Sequence, residues 1–468
     1  MPLSLHCLLS RHFIPIFQVN LKGPMLKKYM NKITGILLFL VFSPGLRSQE
    51  DYNLSKLIER VLAENYQILI IKNEEKISAN NNTPGNAGFL PTLDFQATNS
   101  KSNNNTRMEY FTGVVRENPS AKSTILSGYT ILNWTVFDGF AMFARKDQLG
   151  ALQELGAMNT KYYIEQTISD IANSWYQLIK ENSLLENYNQ TLDISRFRLI
   201  LEKKKLDVGA GNLLLYNQAL VDYNSDSLAA MSQKRLIKSL VIHINEIARL
   251  DPDTELKINE KSILPGIIPP KDTLINRAIL SNREIKQALI EEMIAESNIR
   301  IQKADFYPEI NLYGQYTFNK QNNEVGTVQF GKTFGRQVGV TVRFNLFNGF
   351  NDKREIVNSK IFKENSQIEK EKIIYLVKSN VLDNYYQFQS LIQQLIVADQ
   401  NTLSASKSLE IAKVQYEQGA ISGFDFRQTQ LSLIRAQNNA TLLHLTLKLI
   451  EIELNRLSGE ILKKYVKG

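Results

Sequence analysis

The chain has 468 residues, 43% of them hydrophobic and 22% charged, and a formal net charge of +8. Six basic residues (Arg11, Lys22, Lys27, Lys28, Lys32, Arg47) and no acidic ones lie in residues 1–48. The remainder therefore carries only +2, its charges are interspersed along helices, and a nucleic-acid partner is excluded. The single cysteine, Cys7, sits in the same leader, which removes a disulfide framework, a thiol nucleophile and a cysteine metal site from the rest.

Residues 1–48 read as an upstream extension followed by a cleavable signal peptide. Met25 to Lys32 is a basic start, Ile33 to Phe42 an apolar stretch, Ser43-Pro44-Gly45 a break, and Ser48 a small residue before Gln49. No later apolar run approaches the length of a membrane-spanning helix, so any insertion into a bilayer must use strands.

Residues 49–88 form a first equatorial helix region. One amphipathic helix is expected from Asn53 to about Ser78, with Leu54, Leu57, Ile58, Val61 and Leu62 on one side, ended by Asn80 to Gly85. Residues 89–137 read as a first β-hairpin. Pro91 opens a strand, an Asn- and Ser-rich loop covers Ser100 to Ser123, and a second strand runs from about Thr124 to Phe137. Residues 138–250 form a first long coiled-coil hairpin, with Ile164, Ile171, Leu178, Leu185, Leu192 and Leu199 as its seam and a turn at Gly209-Ala210-Gly211. Asp138 to Val208 as one helix would extend roughly 105 Å, more than a globular core needs.

After a stiff linker (residues 251–271, with Pro265, Pro269 and Pro270), the chain repeats itself. Asn133 to Phe140 is answered by Arg343 to Phe350, Asn173 to Leu178 by Asp383 to Phe388, and Gly209-Ala210 by Gly419-Ala420, all at an offset of 210. Further upstream the offset is 217, matching Phe89 to Phe95 with Phe306 to Leu312 and Asn65 with Asn282. A duplication of this length makes each half one structural unit. The second copy comprises an equatorial helix region (272–305, helical from Thr273 to Lys303), a β-hairpin (306–347), a long coiled-coil hairpin (348–457) and a C-terminal tail (458–468). Its strands are expected at Pro308 to Asn319 and Phe334 to Phe347, with a loop from Gln321 to Lys332. Val338, Val340, Val342, Phe344 and Leu346 alternate with Gly339, Thr341, Arg343 and Asn345, the period-two pattern of a strand with lipid on one side and a polar lumen on the other, which a half-buried soluble hairpin shares and which four such strands in an exported chain favour. Leu132, Trp134 and Val136 repeat it in part. From Ile374, apolar or small residues recur at alternating spacings of three and four (Val377, Val381, Asn384, Phe388, Leu391, Leu395, Ala398, Thr402, Ala405, Leu409, Ala412, Tyr416), the seam of a coiled coil.

Helix, strand pair and long hairpin, present twice behind a signal peptide, resemble the TolC-like outer-membrane efflux protein family over nearly all of residues 50–460. The marks are the Phe-x-Pro openings at Phe89/Pro91 and Phe306/Pro308, the Phe-Asp-Gly-Phe and Phe-Asn-Gly-Phe junctions, and the glycine hairpin turns. The resemblance implies a mainly α fold with a membrane β-barrel: a homotrimer in the outer membrane of a Gram-negative bacterium, with a 12-stranded barrel joined to an α-helical coiled-coil barrel in the periplasm. Four strands cannot close a barrel alone, and open edges in lipid cost several kcal/mol per unpaired backbone group, so association is required on physical grounds as well.

By resemblance, the hairpin tips dock the periplasmic adaptor (membrane fusion) protein of an inner-membrane pump, such as a resistance-nodulation-division transporter. The tip candidates are Val208, Gly209 and Ala210 in the first copy and Gln418, Gly419 and Ala420 in the second. Asp425 and Tyr416 are the pore-aperture candidates. Asp425 is expected to form a ring of three carboxylates, with a helix N-cap as the simpler reading. Leu215 replaces the acid in the first copy, and Ile421 stands where the family often has arginine, so a salt-bridge lock of the familiar kind is not expected.

No enzyme signature emerges: outside the leader only His243 and His444 remain, with no metal spacing, phosphate loop or nucleophile elbow, and no cofactor is called for. A duct for type I protein secretion and a non-transporting envelope scaffold are the alternatives, and the cargo is not readable.

Overall fold

The computed structural model describes residues 52–258, 260 and 263–466. The leader, with Cys7 and the expected cleavage site, lies outside them. Residue by residue, the elements are α1 (Leu54–Glu64), α2 (Tyr66–Asn81), α3 (Pro84–Ala87), β1 (Thr92–Glu109), β2 (Val115–Asp138), α4 (Ala141–Asp207) and α5 (Leu213–Ile247). They continue as α6 (Lys271–Ser281), α7 (Arg283–Ala304), β3 (Glu309–Asn323), β4 (Phe330–Arg343), α8 (Asn351–Glu417), α9 (Gly423–Leu457) and α10 (Ile461–Tyr465).

The two long helices α4 and α8 have 67 residues each, about 100 Å at 1.5 Å per residue. Both start from an unusual junction. Gly139 and Phe140 have φ of 67° and 71°, and Gly349 and Phe350 have 72° and 63°, so two successive residues are left-handed at each strand-to-helix corner. For a phenylalanine this costs about 1–2 kcal/mol. The rings that hold it there are Phe137, 5.1 Å away and edge-on to Phe140, and Phe347, 5.3 Å from Phe350. Inside the corner, the Asp138 carboxylate accepts the Met142 N–H and the Asn348 side chain accepts the Asn351 N–H, so the Asp/Asn of the motif caps the helix that follows.

The seam residues behave as the spacing predicts. Val377, Val381, Phe388, Ala398, Leu409, Ala412 and Tyr416 are buried, and the seam positions between them are half-buried. The helices of the two hairpins pack side by side in the order α5, α4, α9, α8. Two cores lie where α1, α2, α6 and α7 wrap the hairpins. One joins Leu57, Ile58 and Val61 to Ile168, Ile171, Trp175 and Ile452. The other joins Leu274 and Ile285 to Val381, Phe388, Leu447 and Leu454. Burying each such side chain contributes about 1.5–3 kcal/mol.

Several expectations need correction. Neither equatorial region is one helix. Asn65 separates α1 from α2 and Asn282 separates α6 from α7, each with ψ near +130°. Both do the same work: the side-chain oxygen accepts two N–H groups of the next helix, and the amide donates to the last turn or end of a return helix, Ile247 O at 2.9 Å and Leu457 O at 3.2 Å. The Asn- and Ser-rich stretch from Ser100 to Ser123 is paired strand over most of its length, turning at residues 110–114. Polar residues on both faces concealed it, because backbone pairing by itself needs no apolar face. Likewise β3 continues to Asn323, into the expected loop. At its other end β4 leaves the ladder at Arg343, where its partner begins at Glu309, so Phe344 to Phe347 are not strand. The expected tail contains α10, whose Ile461 is fully buried.

Candidate functional site

Register sorts the four-stranded antiparallel sheet, ordered β1-β2-β3-β4, into two unlike faces. Leu93 pairs with Leu132, Leu132 with Gly314, and Gly314 with Val338; one step along, Trp134, Leu312 and Val340 align. This face also carries Phe95, Ile310 and Val342 and is apolar. The opposite face carries Gln96, Tyr129, Asn311, Gln315, Gln337 and Thr341 and bonds laterally. Tyr129 Oη donates to Gln96 at 2.5 Å, Thr135 Oγ1 to Asn311 at 2.7 Å and Gln337 to Tyr313 Oη at 3.2 Å. Tyr313 lies over Gly339, whose missing Cβ makes room for the ring. Val136, expected on the apolar face, is the bulged residue between Thr135 and Phe137. An apolar face with a polar, hydrogen-bonded reverse suits a sheet between lipid and water.

Some 67 residues away along α4 and α8 are the two tips. Gly209 and Gly419 are left-handed (φ 73° and 75°) and have open space where a side chain would stand. The return bonds match: Ala210 N–H reaches Lys205 O and Ala420 N–H reaches Gln415 O, at 2.9 and 2.8 Å. Val208, Leu213, Leu214 and Phe424 are exposed around them, which leaves an apolar rim on the tips.

The differences between copies have local reasons. A Cβ at Gly211 would run into the backbone of Leu206, whereas Ile421 packs into the Tyr416 and Phe426 cluster. Ser422, not Asp425, is the N-cap of α9: its hydroxyl accepts the Asp425 N–H at 3.1 Å and donates to the Asp425 carboxylate at 2.7 Å. At the first tip Asn212 caps α5 alone through Leu214 N–H, so the third helical position is free to be Leu215. Asp425 is exposed, so capping leaves its outer oxygen accessible.

Tyr416 lies within the wall, 3% exposed. Its ring stacks on Phe426 at 4.8 Å, Lys205 Nζ sits 4.9 Å from the ring centroid, and its hydroxyl donates to Glu202 at 2.6 Å. Burial, then the neighbouring Glu202 carboxylate, pushes the Tyr416 hydroxyl up to about 12 from 10.0. A tyrosine whose pKa is raised on folding stabilises fully below its unfolded value and loses that contribution as pH rises through the folded one. Thermal stability is therefore expected to fall between pH 10 and about 12, with a shallower fall in Tyr416→Phe; equal slopes by calorimetry would remove Tyr416 from the account.

Beside Tyr416 runs a buried polar network that joins the two hairpins. Arg427 of α9 grips Asp226 of α5 with two N–H bonds of 2.6 and 2.8 Å, and its Nε lies 3.7 Å from Asp222. Asp222 takes Arg198 of α4 at 2.5 Å, and Ser195 donates to Asp226. Gln430 donates to Thr191 O and Ser195 Oγ, both at 2.8 Å. Sequence reasoning passed over this site. Its signal was present as Thr191, Ser195, Arg198 and Glu202, a polar seam with the spacing of an apolar one, but polar residues at heptad spacing read as a solvated face.

A sheet with one apolar face, continuous with hairpins about 100 Å long, is the architecture expected of an outer-membrane channel with a helical extension. Comparisons agree. Residues 274–460 match the family described as outer membrane efflux protein. Among solved structures, the CmeC outer-membrane channel of Campylobacter jejuni superposes with a TM-score of 0.72 at 15% identity, covering 88% of this chain and 86% of that one. VceC of Vibrio cholerae gives 0.67 at 16%, covering 87% and 96%, and CusC gives 0.71 at 17%, covering 87% and 92%. A search of curated proteins finds no match. The second half of the chain is thus similar to the outer membrane efflux protein family, and the chain as a whole shares the fold of these outer-membrane channels.

Proposed function

We propose that three copies form one duct, a 12-stranded barrel above a closed helical barrel, that receives cargo from a periplasmic adaptor and an inner-membrane pump. The observation that carries this reading is the pair of unfinished flanks. In the sheet, β1 and β4 are edges with unpaired backbone. In the helical layer, α5 and α8 stand at the two ends and expose apolar residues seven apart: Leu214, Val221 and Leu228 on one, Ile361, Ile368 and Tyr375 on the other. Unlike flanks join head to tail, and such contacts close into a ring when the rotation permits.

In this assembly Asp425 contributes three carboxylates near the far opening, where converging negative charge favours cations. Planar-bilayer recordings are expected to show cation-preferring steps that lose part of their preference in Asp425→Ala; a purified chain that neither inserts nor conducts contradicts the channel reading. The exposed glycines let an adaptor approach the backbone closely. Gly419→Trp is expected to lose cross-linking to the adaptor while Gly419→Asn, which tolerates the left-handed turn, keeps it. Secretion of a protein through a type I system uses the same duct, and the identity of the adaptor's partner pump separates the two.

A further inference from the structure

Where all four strands run side by side in the upper part of the sheet, the charges lie on one face. From Gln96 to Ser102 on β1, Lys122 to Tyr129 on β2, Gln315 to Asn323 on β3 and Phe330 to Gln337 on β4, the polar face holds only uncharged residues. The apolar face holds Lys101, Lys122, Lys320, Lys332 and Arg336, all exposed, and no carboxylate within those spans. The arrangement is most concentrated on β3 and β4, where successive cross-strand pairs on this face are Tyr316–Arg336, Phe318–Phe334, Lys320–Lys332 and Asn322–Phe330.

The Lys320–Lys332 pair is informative. Like charges directly opposite on neighbouring strands are destabilising. Among the described residues neither lysine has a carboxylate partner; each lies instead near an aromatic ring, Lys332 Nζ 4.8 Å from the Phe334 centroid and Lys320 Nζ 6.0 Å from that of Phe330. The closest acid in the adjoining loop, Glu324, is turned to the Lys122 backbone N–H at 3.0 Å. A pair of this kind is relieved by an anion placed between the two ammonium groups.

Depth identifies the anion's source. From Arg343, where β4 ends, up to Phe334 is nine residues, about 30 Å along a strand, which a tilt of 35–45° reduces to roughly 23 Å, close to the height of the apolar band of a membrane barrel. Phe318 and Phe334, 5.3 Å apart, thus mark the upper interface, and Lys320 and Lys332 stand just above it, level with outer-leaflet headgroups. Arg336 lies one pair lower, within reach of the same level by extending its side chain upward. We propose that the outer face of β3 and β4 at this margin binds the phosphate groups of a phosphorylated outer-leaflet lipid, with Lys320, Lys332 and Arg336 as the phosphate-binding residues. The proposal rests on the reading of the sheet as a lipid-facing barrel wall.

The test uses detergent-purified full-length trimers titrated with mixed micelles carrying lipid A, either diphosphorylated or dephosphorylated, and reads bound lipid and unfolding midpoint. The diphosphorylated form is expected to bind and stabilise, and removal of cations by Lys320→Gln, Lys332→Gln and Arg336→Gln to weaken binding roughly fivefold per charge. Lys332→Glu gives the sharper sign: without lipid the trimer becomes at least as stable, because the like-charge pair is gone, while the response to phosphorylated lipid is lost. Equal response to both lipids, equal binding by the triple variant, or the same stabilisation by inorganic phosphate overturns the proposal. A chain that forms no inserting trimer fails the channel reading instead, whereas trimers that insert and conduct but ignore lipid phosphate fail only this inference.

Discussion

Val340→Arg is expected to abolish assembly in the outer membrane, while Thr341→Arg, one residue on, leaves it intact. The two side chains point to opposite faces of β4, since Val340 pairs with Leu312 and Thr341 with Asn311. Val340 lies about midway between Phe334 and Phe344, where an arginine facing lipid costs about 2–4 kcal/mol, and a trimer carries three. Thr341 stands on the face of Asn311 and Gln315, and an arginine there meets water and amide groups. The checks are outer-membrane fractionation and heat-modifiable migration in detergent. Equal tolerance of both substitutions would mean that the apolar face does not meet lipid, and the barrel would have to be abandoned.

The second large effect belongs to the tips. Arg427→Ala removes the guanidinium that binds Asp226 and neighbours Asp222, and Asp226 is 8% exposed. Losing one partner of a buried pair costs about 3–5 kcal/mol, mostly because the other charge stays buried. Arg198 already serves Asp222 and cannot replace it. We expect the hairpins to separate at their far ends, with a lower unfolding midpoint and a higher single-channel conductance. Replacing both partners, Arg427→Met with Asp226→Leu, should recover most of the stability, since apolar residues of similar volume fill such sites at little cost. Ser195 then retains Gln430 as a partner. A double-mutant cycle with no coupling would show that the network does not hold the hairpins together.

The long helices were the most legible part of the chain, because alternating spacings of three and four over forty residues leave no competing reading. The β4 pattern was equally plain where one face is apolar and the other polar. Legibility failed wherever side-chain polarity did not report the backbone. Ser100 to Ser123 looks like a loop because neither of its faces is apolar, yet its backbone is paired. Asn65 and Asn282 were visible as matched residues, but a helix break made by one amide leaves the apolar spacing on both sides nearly undisturbed. At the tips, the motif glycines and Asp425 could be read one at a time. The network around Arg427 could not, because it joins α4, α5 and α9 across more than two hundred residues and depends on which polar seam turns inward. Tyr416 shows the same limit: its position drew attention, but its buried bond to Glu202 is a property of the packed hairpins.

In the proposed ring, two unlike flanks of one chain close on copies of each other. Native mass measurement of the protein extracted from outer membranes in mild detergent tests it most directly. A particle of three chains that persists on dilution is expected, and a stable monomer under the same conditions would contradict ring closure.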